Sequence, residues 1–226
     1  MSAVWRYLRP AHRFLASWWL YPLLMCSALA IGILATRVYL SGSGTYVFLG
    51  WNLLLAWLPY GCSVWAAGVY RRYARRGWAL ILPGAAWLIF FPNAPYLITD
   101  FLHLQTRAPI PLWYDIGLLT AFAWTGCFLA VASLRIMQSL VTESAGRWAG
   151  ELFALGSLGL AGLGVYLGRF LRWNSWDVLL QPGEVLADVA RRLANPAQTV
   201  GVTLMFAAVL FMCYLTIVSL QRREQN

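Results

Sequence analysis

The sequence predicts an all-α polytopic membrane helix bundle of about six transmembrane helices, with a short amphipathic helix on its extracytoplasmic side. Three observations predict it. Of 226 residues, 61% are hydrophobic and 11% charged, more apolar surface than a soluble core of this length can hide. Six apolar runs each reach about 20 residues, enough to cross the hydrocarbon layer as a helix. The arginines gather at the ends of those runs. Strands are excluded because no barrel alternation is present and open strands leave backbone groups unpaired in lipid.

Taken in order, a short arm, residues 1–16, carries Arg6, Arg9 and Arg13 ahead of the first run, residues 17–39. Ala28-Leu29-Ala30 resembles a signal-cleavage site, but the run continues through Ile31-Gly32-Ile33-Leu34 to Val38, so a retained first span is expected. The second run, 46–70, ends on Arg71-Arg72-Tyr73-Ala74-Arg75-Arg76, an anchor for the headgroup layer. The third, 78–98, passes through Pro92-Asn93-Ala94-Pro95. Each proline removes an N–H and crowds the carbonyl four residues back, so this span should kink or break. Asn93 suits the cap of a new helical segment, whose start can attract an anion.

The fourth run covers 112–140 and the fifth 148–170. In the fifth, Ala154, Ser157, Ala161, Gly164 and Gly168 form a stripe of small residues. Such a stripe admits close helix contact, within the chain, in a homo-oligomer or with another membrane protein. After Pro182-Gly183, Leu186, Val189, Ala190 and Leu193 repeat at helical spacing opposite Glu184, Asp188, Arg191 and Arg192, giving the surface helix. Asn195-Pro196 ends it before the last run, 199–220, and a tail, 221–226. The whole chain, 1–226, reads as one transmembrane domain.

Placing the N-terminus in the cytoplasm puts Arg6, Arg9, Arg13, Arg71, Arg72, Arg75, Arg76, Arg135, Arg147, Arg222 and Arg223 inside, and Arg37, Arg107, Arg169, Arg172, Arg191 and Arg192 outside. Eleven against six predicts both termini cytoplasmic, in a bacterial inner membrane. The formal net charge of +9 is spread over helix ends rather than one basic face, so nucleic acid is not an expected partner; membrane lipids are. All 17 basic residues are arginine, which excludes Schiff-base chemistry on a lysine. The four cysteines lie inside apolar runs and form no CxxC pair, so neither a disulfide framework nor a thiolate metal site is expected.

Polar residues inside a bilayer boundary normally face a protein interior or a wet cavity. Read as a helix from Asn93, residues Tyr96, Asp100, His103 and Arg107 fall on one stripe. Asp100 and His103 have the carboxylate-x-x-His spacing of metal sites in helix bundles. With Asp115 they form a candidate set for a divalent transition metal. An ion pair of Asp100 or Asp115 with Arg169 or Arg172 is the competing reading, and both stay open here. Arg169, Arg172, Asn174 and Asp177, interleaved with Trp173 and Trp176, combine phosphate-binding forks with rings that seat at headgroup level. Asn93, Tyr96, Arg169, Arg172, Asn174 and Asp177 are therefore the ligand-binding candidates.

The segment Phe91-Pro92-Asn93-Ala94-Pro95-Tyr96-Leu97-Ile98-Thr99-Asp100-Phe101-Leu102-His103-Leu104 resembles the hallmark of a bacterial membrane family, domain of unknown function 1361. Leu112-Trp113-Tyr114-Asp115 and Gly168-Arg169-Phe170-Leu171-Arg172-Trp173-Asn174-Ser175-Trp176-Asp177 resemble its later blocks, in the same order. The resemblance implies a multi-pass membrane protein and transfers no catalytic residue. The three blocks are expected to converge in an extracytoplasmic pocket that binds a ligand or metal, as in a metal-assisted hydrolase or transferase acting on a lipid-linked substrate. A structural or assembly role in a membrane complex is the alternative, and transport of a small solute or ion a second one.

Overall fold

A computed structural model describes residues 19–193 and 196–224. The N-terminal arm with its three arginines, and the first residues of the first run, lie outside the described residues. Helix α1 is Leu20–Ser41 and α2 is Phe48–Arg72. The third span is composite: a 3-10 turn at Gly77–Leu80, α3 at Ile81–Phe90, the single turn α4 at Asn93–Tyr96, and a 3-10 helix at Leu97–His103. Then follow α5 at Leu112–Ala145, α6 at Arg147–Phe170, the turn α7 at Asp177–Leu180, α8 at Pro182–Leu193 and α9 at Pro196–Glu224. Six of these segments are long and apolar enough to cross a membrane, as a multi-pass membrane protein requires.

Helix α5 is the hub. It packs on α1, α2, α6 and the 3-10 segment of the third span, while α9 packs chiefly on α6. Its buried face alternates large and small: Leu118, Leu119, Phe122, Leu129 and Met137 are interleaved with Ala123, Gly126, Ala130 and Ala132. Gly126 matters in particular, because a Cβ there would overlap the Ala94 carbonyl oxygen and push the third span away. Outward faces stay apolar, with Met25, Leu29, Ile81, Leu82, Leu152, Leu204 and Met212 exposed. In water these would be a liability; against lipid chains they are the expected surface.

Helix α9 continues past its apolar stretch, Thr199–Leu220, to Glu224. The third span is interrupted at its prolines, as the sequence predicts: α3 ends at Phe90, a turn follows, and a new helical turn begins at Asn93. Pro92 keeps right-handed helical angles (φ −63°, ψ −19°), and beyond Tyr96 the chain tightens into 3-10 geometry. The cap of this new turn falls on Pro92 rather than Asn93, which is the first helical residue and whose Oδ1 accepts from Ser175.

At the end of the bundle that holds Arg71–Arg76, Arg75 meets Glu143 at 2.6 Å across an exposed surface. Deeper, Gln138 joins three elements. Its Oε1 accepts from Arg135 Nη1 (2.9 Å) and the Tyr214 hydroxyl (2.9 Å), and its Nε2 donates to Glu151 (3.3 Å). This ties α5, α6 and α9 through one buried amide, whose groups would otherwise carry a desolvation cost.

Candidate functional site

The polar blocks do not all meet. Asp115, in the first turn of α5, takes a two-pronged bond from Arg37 near the end of α1: Nε to Oδ1 at 2.7 Å and Nη2 to Oδ2 at 3.2 Å. Both side chains are 1% exposed. The Arg37 guanidinium also lies 4.5 Å from the ring centre of buried Tyr46, with Arg107 at 5.4 Å from the same ring. Next to Asp115, the Tyr114 hydroxyl donates to the Ile33 carbonyl (2.9 Å). The Leu112–Asp115 block is thus a clasp between α1 and α5, and the partner of Asp115 is Arg37 rather than Arg169 or Arg172.

The other two blocks do converge. The 3-10 geometry after Leu97 has three residues per turn, which lines up Asp100 and His103 on one edge. Arg169, in the last turn of α6, reaches both: Nη2 lies 2.9 Å from His103 Nδ1, and Nη1 is 3.8 Å from Asp100 Oδ1. Arg169 can only donate, so His103 Nδ1 carries the lone pair and Nε2 the proton. Nη1 also points to the Tyr96 hydroxyl at 3.5 Å. Asp100 is fully buried, accepts from Asn52 Nδ2 at 3.0 Å through Oδ2, and leaves Oδ1 without a hydrogen bond. The His103 ring leans on Phe48 (5.0 Å between centres). Arg107 leaves the stripe, because the helix ends at Leu104; its Nη2 donates to Gln105.

The expected metal set is therefore not assembled. Asp115 is occupied by Arg37 and Asp100 by Asn52 and Arg169. Among the described residues, no three of His, Cys, Asp or Glu gather closely enough to hold a metal ion.

Beside the Asp100–Arg169–His103 network opens a cavity of about 240 Å³. Pro92, Asn93 and Tyr96 form one wall, Gly164, Leu167 and Gly168 another, and Trp173, Asn174, Ser175 and Trp176 a third. Trp51 and Asn52 close it from α2, and Val185 of α8 reaches in from above. The glycines make the close fit possible. A Cβ on Gly164 would overlap the Pro92 ring, and one on Gly168 would stand 3.2 Å from Tyr96 Cε2. The small-residue stripe of α6 is thereby used inside the chain, with Ala154, Ser157 and Ala161 also buried.

Hydrogen bonds hold the walls to one another. Ser175 Oγ donates to Asn93 Oδ1 (3.1 Å), which joins the two conspicuous sequence blocks directly. Asp177 Oδ2 accepts from the Asn174 backbone N–H (2.7 Å) and from Asn174 Nδ2 (3.1 Å), folding that loop into a tight turn. Trp173 Nε1 donates to Asp188 Oδ2 (2.9 Å), which fastens α8 over the cavity. That indole bond, with Arg191 beside it, holds the Asp188 carboxyl below its ordinary value.

Among the ligand-binding candidates, Asn93, Tyr96 and Asn174 line the cavity. Asp177 braces the Asn174 turn from behind, Arg169 bends back into the buried network, and Arg172 is exposed with left-handed backbone (φ 61°). Sequence reading missed Trp51, Asn52 and Ser175 as wall residues and Arg37 as the partner of Asp115. Asn52 alone carried a signal, as an amide inside an apolar run.

Comparison with known proteins agrees with the sequence blocks. A family model described as protein of unknown function (DUF1361) matches residues 51–213, well over half of the chain. The chain belongs to this family. The matched stretch contains every cavity wall and the Arg169 network but not Arg37. No curated protein and no solved structure matches the chain.

Proposed function

We propose that this member of the DUF1361 family is a bacterial inner-membrane protein, with both termini cytoplasmic, that binds a membrane lipid by its headgroup in an outward-facing cavity. The observation that carries the reading is the cavity itself, set among span ends and lined by three amides, two hydroxyls, aromatic rings and aliphatic side chains, a mixture that suits the depth of the headgroup layer. Its size suits a headgroup rather than a whole ligand, since pockets for drug-sized molecules run from roughly 300 Å³ upward. The excess of arginine at the opposite end supports the orientation. Binding rather than turnover is the reading, because Asp100 and His103 lie behind the wall and are engaged by Arg169.

A transport route has less support. Between Asp115 and Gln138 the buried face of α5 is filled by Leu118, Leu119, Phe122, Leu129 and Leu134, with only Thr125 and Ser133 among them as hydroxyls. The binding reading is tested by extracting lipid from protein purified in mild detergent and comparing it with the bulk membrane by mass spectrometry. One headgroup class should be enriched in the wild type and severalfold less so in Asn93→Leu. Bulk composition in both proteins would sink the reading. A C-terminal fluorescent fusion that lights up only in the cytoplasm checks the orientation.

A further inference from the structure

Resting on that headgroup reading, we propose that the group seated in the cavity is a neutral sugar, so that the ligand is a glycosylated lipid. The argument begins with charge. The described residues lining the cavity include no Asp, Glu, Lys, Arg or His. A phosphate buried there would have no cation to meet it, since Arg169 is turned to His103 and Arg172 does not line the wall. A buried ion without a partner is costly, so the site disfavours charged groups of either sign.

The remaining hydrogen-bonding capacity is mixed. Asn52 spends Nδ2 on Asp100 and keeps Oδ1 as an acceptor. Asn93 spends Oδ1 on Ser175 and keeps its amide protons as donors. The Tyr96 hydroxyl accepts from Arg169 and keeps its proton to donate. Hydroxyl groups, which both donate and accept, match such a set. A quaternary ammonium also suits a ring of aromatics, but it carries no donor or acceptor and would leave the amides unpaired.

The remaining wall is indole set among aliphatic side chains, Leu55, Ile89, Leu167, Val178 and Val185. Trp51, Trp173 and Trp176 line it, and Trp51 and Trp176 are 57% and 40% exposed. Flat apolar faces beside directed amides fit a ring that is apolar on its C–H faces and polar around its rim. A pyranose has that character.

The test uses the full chain in nanodiscs doped with monoglucosyl diacylglycerol, phosphatidylglycerol or phosphatidylcholine, plus methyl β-glucoside in solution, read by native mass spectrometry. The glucosyl lipid should be retained about ten-fold over either phospholipid, a gap of about 1.4 kcal/mol. Trp176→Ala and Asn93→Leu should each abolish that preference, and Trp176→Phe, which keeps an aromatic face, should preserve most of it. Preferential retention of either phospholipid would overturn the sugar assignment while keeping the headgroup reading. Methyl β-glucoside bound as tightly as the lipid would keep the sugar and overturn the lipid. Equal weak retention of every probe would overturn both.

Discussion

Two buried arginine–carboxylate pairs stand at the same end of this bundle, and they are built differently. Arg37 grips Asp115 with two bonds, both residues closed off from solvent, although its own Nη1 is left without a hydrogen-bond partner. Arg169 spreads one guanidinium over Asp100, His103 and Tyr96, reaching the carboxylate only at 3.8 Å and leaving Oδ1 unbonded. The first geometry maximises attraction between two elements and fixes them. The second holds charge beside a cavity without saturating any partner. A tight buried pair marks structure, and a loosely shared one marks the neighbourhood of a site.

The sharpest way to break that comparison is to remove one partner of the tight pair. Asp115→Ala should destabilise the protein by about 3–5 kcal/mol, because Arg37 is left charged and buried. The double variant Arg37→Met, Asp115→Leu should recover much of that loss, since matched apolar residues need no pairing. Thermal unfolding in one detergent measures both. If Arg169→Gln proved as damaging as Asp115→Ala, the proposed division between clasp and site would fail.

A middle effect is expected where α6 meets the third span. Gly164→Ala forces a Cβ into the Pro92 ring and should cost about 1–3 kcal/mol. It should also reduce retained lipid, because this contact forms part of the cavity. An unchanged melting temperature would show that the two spans are not seated as closely as described.

The smallest effect belongs to Ser175→Ala, which removes one partly buried bond to Asn93 and should cost about 0.5–1.5 kcal/mol. Lipid retention should fall more noticeably than stability. The reverse pattern would mean that the Ser175–Asn93 bond braces the fold and contributes little to the cavity.

These regions were not equally legible in the sequence. The spans were, because apolar length is a local property, and α8 was, because its alternation of apolar and charged faces is periodic. The pairing of Asp115 was not. Arg37 sits near the end of an apolar run, where an arginine reads as a topology signal. Its rotation toward α5 is set by packing that no local pattern records. Gln138 was overlooked for the same reason: a lone amide in an apolar run shows neither its facing helix nor its partners. The prolines were read for what they remove from a helix, and α3 does end at Phe90; what the sequence did not show is that Gly126 and Gly164 let Ala94 and Pro92 pack closely on α5 and α6 at that interruption. Asp100 and His103 were rightly placed on one edge, but their shared partner lay 66 residues from His103.

Asn52 and Tyr96 each face two ways. Both line the cavity, and both touch the charged network behind it, Asn52 through Asp100 and Tyr96 through Arg169. In the language of linkage, filling the cavity and ordering the ion pair draw on the same two side chains, so their free energies are not additive. A substitution at either position is two edits at once, and only a double-mutant cycle with Arg169 separates what the ligand loses from what the fold loses.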